Sequence, residues 1–270
     1  MPKKNMTDDG RYNLLGVKCD AIDVPELLGI FEHAINTNQP NFIVGNHNIH
    51  SIYLFQRHPQ MRRFYDLKGV TYIDSMPLIF LGKMLGLPLE RKHRTAFLDW
   101  HEDLLSLAEA KDWRIFYVGG RQESLNKVSQ LFRKRYPKLS IRFHHGYFDE
   151  SELPALYDGI RGYCPNILLV GMGMPRQEKW ILDAYQHVHA NVIVNGGAMI
   201  EYLIGEQAPA PRWLGQLGLE WLFRLALQPR RLAGRYLVEP FYLLRPLARD
   251  FVAAWTGTEP QSQRFRDPRG

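Results

Sequence analysis

The feature that most constrains this chain is an apolar run that leads through a glycine turn into a helix, within residues 166–180. Residues 167–170 are Ile, Leu, Leu and Val, a run typical of a strand buried on both faces of a parallel sheet. Residues 171–173 are Gly-Met-Gly, where the backbone can turn sharply or let a ligand approach closely. Pro175 suits the first position of a helix, and a helix N-terminus after such a turn suits a phosphate group.

Six residues of this segment are therefore candidates for binding a substrate. They are Gly171, Met172, Gly173, Arg176, Gln177 and Glu178. Arg176 offers a planar donor fork that suits phosphate oxygens. A single Gly-x-Gly turn is a weak signal, so an ordinary strand–loop–helix connection, with glycines that serve only packing, is an equally open interpretation.

Similar turns recur at Gly119-Gly120 and at Gly196-Gly197, and the second leads into a helix that carries Glu201. We include these five residues among the candidates for substrate binding. Three glycine turns at strand ends, alternating with helices, predict an α/β fold with a Rossmann-like, doubly wound, mostly parallel sheet. They also favour a nucleotide or nucleotide-sugar ligand. The dinucleotide and P-loop glycine motifs are both missing, which disfavours dinucleotide and P-loop ATP binding.

Periodicity and turn residues predict strands and helices that alternate along the chain. The predicted strands lie at residues 14–19, 41–44, 70–73, 115–118, 140–143, 167–170 and 191–194. The predicted helices lie at residues 24–36, 51–64 with an interruption at Pro59, 78–85, 97–110, 123–136 and 152–161. Asp23, with Glu26 three residues later, predicts a capping box at the start of the first helix.

Polar residues follow two of the predicted strands. The strand at 41–44 runs into Asn46, Asn48 and His50, and open α/β sheets bind ligands just beyond the carboxyl ends of their strands. The strand at 70–73 ends in Asp74, which is a candidate base; the alternative is that Asp74 only caps the helix that follows. Arg94 lies in a basic loop that could bind an anion or simply be solvated.

Composition limits the class of protein. The chain has 270 residues, of which 45% are hydrophobic and 23% charged, with a net charge of +6. That charge would suit a phosphate-bearing substrate, an anionic membrane surface or nucleic acid. We do not expect nucleic acid as a partner, because no recognised nucleic-acid motif is present. Two distant cysteines, a polar N-terminus and the absence of a long apolar stretch predict a cytoplasmic protein, soluble or peripherally attached to the membrane.

The composition changes after Gly205. We predict a catalytic domain at residues 1–205, a helical C-terminal appendage at 206–255 and a disordered tail at 256–270. The appendage combines Trp, Leu and Tyr with basic residues, a pattern typical of interfacial membrane binding. The alternatives are helices packed on the core with their arginines in water, and self-association into a homo-oligomer. Its candidate substrate-binding residues are Arg212, Arg224, Arg230 and Arg231.

Several motifs in this order resemble the WecG/TagA/CpsF bacterial glycosyltransferases, glycosyltransferase family 26. They are an Asn-containing turn ahead of His-Pro, Asp-x-Met-Pro, Val-Gly-Gly, Met-Gly-x-Pro-Arg-Gln-Glu-x-Trp, Ala-Pro-Arg-Trp, Gly-Leu-Glu-Trp-Leu-x-Arg-Leu and Gln-Pro-Arg-Arg. No single motif is decisive, but the combination is highly specific. The resemblance covers about residues 14–240.

The resemblance implies inverting transfer of a sugar, without a metal or another cofactor, from a UDP-sugar to a polyprenyl-diphosphate-linked saccharide at the cytoplasmic membrane face. It places the catalytic base at Asp74 and retains the family's Asn as Asn48. Asn46 replaces a Thr, Ser75 replaces a Gly, and the acidic residue of the basic loop is missing. These departures suggest a different donor sugar, as in the exopolysaccharide glucosyltransferases.

We therefore expect Asp74 to take the proton from the acceptor hydroxyl. Arginines and helix N-termini would stabilise the departing UDP diphosphate, and those of the appendage could close over the site. Substrate binding would include Asn46, His50 and Arg94. A non-catalytic module that binds a nucleotide sugar or a lipid phosphate is the alternative function.

Overall fold

The protein is described by a computed structural model over residues 11–197, 199–208 and 210–256, without the side chains of 212, 216 and 253–256. Its centre is a six-stranded sheet of order β4-β3-β8-β7-β5-β6, in which every neighbouring pair is parallel. The strands are β3 (Phe42–His47), β4 (Gly69–Ile73), β5 (Ile115–Gly119), β6 (Ile141–His144), β7 (Ile167–Gly171) and β8 (Val192–Asn195). The predicted Rossmann-like α/β fold is confirmed.

Helices connect these strands and cover both faces of the sheet. The helices of the first part are α1 (Val24–Asn36), α2 (Ile49–Arg57), α3 (Pro59–Tyr65), α4 (Met76–Met84), α5 (Phe97–Ala110), α6 (Gln122–Arg135), α7 (Leu153–Tyr163), α8 (Arg176–Ala184) and α9 (Met199–Leu203). The predicted break at Pro59 separates α2 from α3. The predicted capping box is also present, since the Glu26 N–H donates to Asp23 Oδ1 and the Asp23 N–H to Glu26 Oε2.

The predicted first strand at residues 14–19 is wrong in one respect. The chain reverses at Leu15 and Gly16, both with positive φ, and forms an antiparallel hairpin of β1 (Tyr12–Leu14) and β2 (Val17–Cys19). Asp20 attaches this hairpin to β4, because the Thr71 N–H donates to Asp20 Oδ2 and the Asp20 N–H to the Thr71 carbonyl. Residues 14–19 therefore supply two short strands beside the main sheet.

Apolar layers lie on both faces of the sheet, as a buried parallel sheet requires. Phe31 of α1 and Trp100 of α5 pack on one face, with Tyr117 of β5. Leu78 of α4 and Ile181 of α8 pack on the other. Every residue of β5, β7 and β8 is buried, which explains the nearly continuous apolar runs of these strands.

The appendage folds back onto the first part of the chain. It contains α10 (Arg212–Gln216), α11 (Glu220–Leu227), α12 (Pro229–Ala233), a π-helical turn (Gly234–Val238), a 3₁₀ turn (Glu239–Leu243) and α13 (Leu244–Thr256). Leu232 and Leu243 are buried, and Leu243 joins the core cluster beneath α4 and α8. Within the described ranges, no helix combines the length and the apolar character needed to cross a membrane. Residues 257–270, most of the predicted disordered tail, lie outside the described residues.

Candidate active site

Parallel strands end at the same edge of a sheet, so the residues that follow them are brought together. Asn48 follows β3, Asp74 follows β4 and Gly196 follows β8, and these three strands are neighbours. The turns after β5 and β7 continue the same edge. The strand ends that the sequence analysis selected therefore form one carboxyl edge.

Asp74 is fixed beside β3, because its backbone N–H donates to the His47 carbonyl at 2.8 Å. The helix α4 has Ser75 at its N-cap position, and no side chain caps it. The alternative role of Asp74 as a helix cap is therefore wrong. Burial raises the pKa of Asp74 from 3.8 to about 6; Arg94 and Arg224 act in the opposite direction, and Glu220 adds to the rise.

Asn48 joins the start of α2 to the candidate base. Its Oδ1 accepts from the Ser51 backbone N–H at 3.1 Å, which makes Asn48 the N-cap of α2. A hydrogen bond from the Asn48 side chain also favours the ionised form of Asp74 and lowers its pKa. The predicted residues Asn48 and Asp74 therefore act on each other at this edge.

Arg94 lies next to the last residue of β4. The segment forms a parallel bridge between Ile73 and Arg94, and the Thr95 N–H donates to the Ile73 carbonyl at 2.8 Å. Its guanidinium contacts two carboxylates, with Nη1 at 2.8 Å from Asp99 Oδ2 and Nη2 at 2.5 Å from Glu220 Oε1. The acidic partners of Arg94 therefore come from α5 and from the appendage.

Two arginines of the appendage act electrostatically on Asp74, and only one of them was predicted. Arg224 lies over the Tyr202 ring, with its guanidinium carbon 5.5 Å from the ring centre. Arg235 is also partly buried and interacts with Arg224 and Asp74. Burial is the main cause that lowers the pKa of Arg235.

The other predicted arginines of the appendage are placed differently. Arg230 and Arg231 are exposed, and the side chain of Arg212 lies outside the described residues. Sequence reasoning missed Arg235 because the arginines it selected lie in the family motifs, whereas Arg235 follows them, in the π-helical turn Gly234–Val238.

Gln177 links two glycine turns from below. Its Oε1 accepts from the Gly173 N–H at 3.2 Å and from the Gly197 N–H at 3.1 Å. Its Nε2 donates to Glu178 Oε1 at 2.8 Å. Gln177 and Glu178 have no exposed surface, so the structure places these two predicted binding residues beneath the edge.

The same buried network continues to β8 and β3. Asn195 Nδ2 donates to Glu178 Oε1 at 2.8 Å, and Asn195 Oδ1 accepts from the Asn46 backbone N–H at 3.0 Å. Asn46 is 5% exposed. Burial raises the pKa of Glu178, while hydrogen bonds from Asn195 and Gln177 lower it. The arrangement can hold three strand ends in register.

The glycines of the edge have two different roles. A Cβ on Gly119 would lie 2.2 Å from the Gly171 carbonyl oxygen, so this pair permits close packing of strand ends. Gly173 and Gly197 have φ values of 78° and 62°, and open space surrounds the position of a Cβ. The packing interpretation thus fits the first pair, and the second pair leaves room for a ligand.

Further candidates lie around this edge. Arg176 is exposed, with its guanidinium carbon 5.3 Å from the centre of the exposed Tyr147 ring, a residue that the sequence analysis did not select. Glu201 has a buried Oε2 with no hydrogen-bond partner in the described part of the chain. His50 is engaged, with Nδ1 2.7 Å from Glu239 Oε2 of the appendage.

The remaining glycine candidates, Gly120 and Gly196, have neighbours only at ordinary van der Waals distance from the position of a Cβ. Gly120 has positive φ and faces Ile200, and Gly196 is buried after β8. Met172 is partly buried against the core.

Over the described ranges, no group of three or more His, Cys, Asp or Glu side chains is placed to hold a metal ion.

Comparison with known proteins identifies the family. A model of the glycosyl transferase WecG/TagA/CpsF family matches residues 12–255. Relatives from Staphylococcus aureus strains COL and MRSA252 are each 22% identical over 246 residues, which is 91% of this chain and 95% of each relative. Both are named N-acetylglucosaminyldiphosphoundecaprenol N-acetyl-beta-D-mannosaminyltransferase. The chain, whose strand-end motifs meet at one edge around Asp74, belongs to this glycosyltransferase family.

Proposed function

We propose that this enzyme transfers a sugar, with inversion, from a UDP-sugar to a polyprenyl-diphosphate-linked saccharide. The observation that carries the proposal is the position of Asp74 at the carboxyl edge, directly after β4, where Arg94 is bridged to Ile73 and where Arg224 and Asn48 also act on the carboxylate. An inverting transfer needs a base on the acceptor hydroxyl and positive charge at the leaving group. This edge offers both within one cluster.

Asp74 is suited to act as the base. A pKa of about 6 leaves the carboxylate ionised at neutral pH and makes it more basic than an ordinary aspartate. In the proposed step, Asp74 accepts the proton of the acceptor hydroxyl while that oxygen attacks the anomeric carbon. The bond from the anomeric carbon to the UDP oxygen breaks, and UDP leaves with the electron pair.

Arginines supply the positive charge that the departing diphosphate requires. Arg94, Arg224 and Arg235 are all partly buried, so their interactions with an anion are less screened by water than those of surface arginines. Arg230 and Arg231 are exposed, and we assign them to the membrane surface rather than to the diphosphate. No step of the proposal requires a metal or another cofactor.

The nucleotide is proposed to lie toward β5, β7 and β8. Gly173 and Gly197 leave space there, and the Tyr147 ring with Arg176 above it offers an aromatic surface for a base. The unpartnered carboxylate oxygen of Glu201 suits a sugar hydroxyl, because a buried acceptor without a donor is costly. Gln177 and Glu178 would hold this part of the edge in shape.

The appendage is proposed to meet the cytoplasmic membrane face, where a polyprenyl acceptor is anchored. Its apolar side chains include Trp213, Leu217 and Phe241, which are 60%, 55% and 70% exposed. The basic residues Arg230 and Arg231 are exposed on the same segment. Exposed aromatic and basic side chains together favour an anionic lipid surface.

The donor is proposed to be UDP-glucose or a UDP-N-acetylmannosamine or uronate type. The names of the relatives favour an N-acetylmannosaminyl group. The replacement of Thr by Asn46 bears less on this choice than expected, because Asn46 is buried against Asn195. Ser75 is more relevant to the choice of donor sugar. Its Oγ is buried next to Asp74 in the chain and has no hydrogen-bond partner among the described residues.

The test is UDP release from a panel of UDP-sugars, with and without a polyprenyl-diphosphate-saccharide extract. The donors are UDP-glucose, UDP-glucuronate, UDP-N-acetylglucosamine, UDP-N-acetylmannosamine and its uronate. Wild type is compared with Asp74→Asn and with Asp158→Asn, a control on the exposed side of α7. Acceptor-dependent release from one donor, lost only in Asp74→Asn, supports the proposal. Binding of UDP without transfer would favour the non-catalytic module.

A further inference from the structure

Arg94 is held from two parts of the molecule at once. Asp99 of α5 contacts Nη1, and Glu220 at the start of α11 contacts Nη2. The contact with Asp99 is local, five residues along the chain, whereas Glu220 is 126 residues away. One of the two contacts that orient Arg94 therefore comes from the appendage.

The place of Glu220 is shaped by Gly215 of α10. A Cβ on Gly215 would lie 2.6 Å from Glu220 Oε1, which is closer than real Cβ contacts. A larger residue at 215 would force the Glu220 carboxylate to shift at its contact with Arg94. The glycine thus leaves the space in which the ion pair forms.

Glu220 also acts on the candidate base. It is the like charge that adds to the raised pKa of Asp74, while Arg94 and Arg224 oppose it. Other ionisable groups of the elements packed around Asp74 interact with it as well. They are Tyr65 of α3, Tyr72 of β4, Tyr202 of α9 and Arg235 of the π-helical turn.

We propose that Glu220 is a positioning residue that orients Arg94 beside Asp74 and thereby connects docking of the appendage to the protonation of the base. This inference rests on the proposed role of Asp74 as base. When Glu220 contacts Arg94, its carboxylate offsets part of the guanidinium charge. The same carboxylate is a negative charge that acts on Asp74. When the contact is lost, Arg94 is free to pair with Asp74, which would weaken Asp74 as a base.

The test follows the Asp74 carboxyl by ¹³C NMR titration without substrates, assigned with Asp74→Asn. Glu220→Gln is compared with wild type and with Glu206→Gln, a matched control whose carboxylate joins the appendage to Lys127 of α6. Because Glu220→Gln removes a like charge and releases Arg94, we expect the Asp74 pKa to fall. The acid limb of the kcat/KM profile should move to lower pH, with kcat reduced between about 10-fold and 100-fold. Glu206→Gln should change neither.

Gly215→Ala provides a second variant that keeps the charge of Glu220. It should lower kcat in the same range, since the added Cβ forces the Glu220 carboxylate to shift at its contact with Arg94. An unchanged Asp74 pKa in Glu220→Gln would overturn the inference, whether or not kcat falls. A purely structural role of Glu220 would leave that pKa unchanged. The titration is independent of turnover, so a wild-type enzyme that fails to transfer sugar would refute the proposed function without deciding this point.

Discussion

Replacing Asp74 with Asn should stabilise the protein at neutral pH while it abolishes transfer. The folded state raises the pKa of Asp74 from 3.8 to about 6, so it favours the neutral carboxyl. The ionised carboxylate at this edge therefore lowers the free energy of unfolding. An amide has nearly the same shape and carries no charge, so Asp74→Asn removes that cost.

The size of the effect follows from the shift. The rise of the Asp74 pKa from 3.8 to about 6 corresponds to an upper limit of about 3 kcal/mol. Asp74 is partly accessible to solvent, so we expect roughly 1–2 kcal/mol after screening. The favourable contribution of the neutral carboxyl is complete below 3.8 and is lost as pH rises through about 6.

Urea denaturation at about pH 4 and about pH 7.5 measures this difference. The two proteins should unfold alike at the lower pH, and Asp74→Asn should be more stable at the higher one. Asp158→Asn, at an exposed position on α7, should show no such dependence on pH. In the same samples, UDP release with acceptor should fall by roughly 10²- to 10⁴-fold in Asp74→Asn alone.

Equal or lower stability of Asp74→Asn at the higher pH would refute the argument from burial. A wild-type kcat/KM that stays constant well below pH 6 would refute Asp74 as the titrating base. The two results are independent, because the first concerns folding and the second concerns catalysis.

Three further changes test other parts of the molecule. Arg224→Ala should lower kcat by about 10²- to 10³-fold with little change in donor KM, measured by steady-state UDP release, whereas the exposed Arg231→Ala should retain most of kcat. Gln177→Ala should cost about 1–3 kcal/mol in urea denaturation, because it leaves backbone donors of two glycine turns unpaired. Phe241→Ser should weaken co-sedimentation with anionic liposomes while thermal unfolding stays unchanged, and unaltered co-sedimentation would argue against a membrane contact there.

The sequence alone determined the class of fold. Runs such as 167–170 are apolar on both faces, which is typical of a strand covered on both sides of a parallel sheet. Asn48 and Asp74 each follow a predicted strand, and because all parallel strands end at one edge, the two residues lie at the same edge. The ordered motifs also predicted the family that comparison confirmed.

The tertiary structure decided which of the candidates face the site. Gln177, Glu178 and Asn46 are polar residues beside glycine turns, yet they are buried in a hydrogen-bond network that joins β3, β8 and α8. A polar residue looks the same in a sequence whether it binds a ligand or satisfies buried neighbours. Only the positions of its partners separate the two cases.

The contribution of the appendage was also decided by tertiary structure. Composition predicted a basic, aromatic segment, but it did not distinguish Arg235, which interacts with Asp74, from the exposed Arg230 and Arg231. That distinction depends on a π-helical turn and on contacts such as Arg94 with Glu220, across 126 residues. Local pattern determines secondary structure and the ends of strands, whereas pairing between distant segments depends on how the whole chain packs.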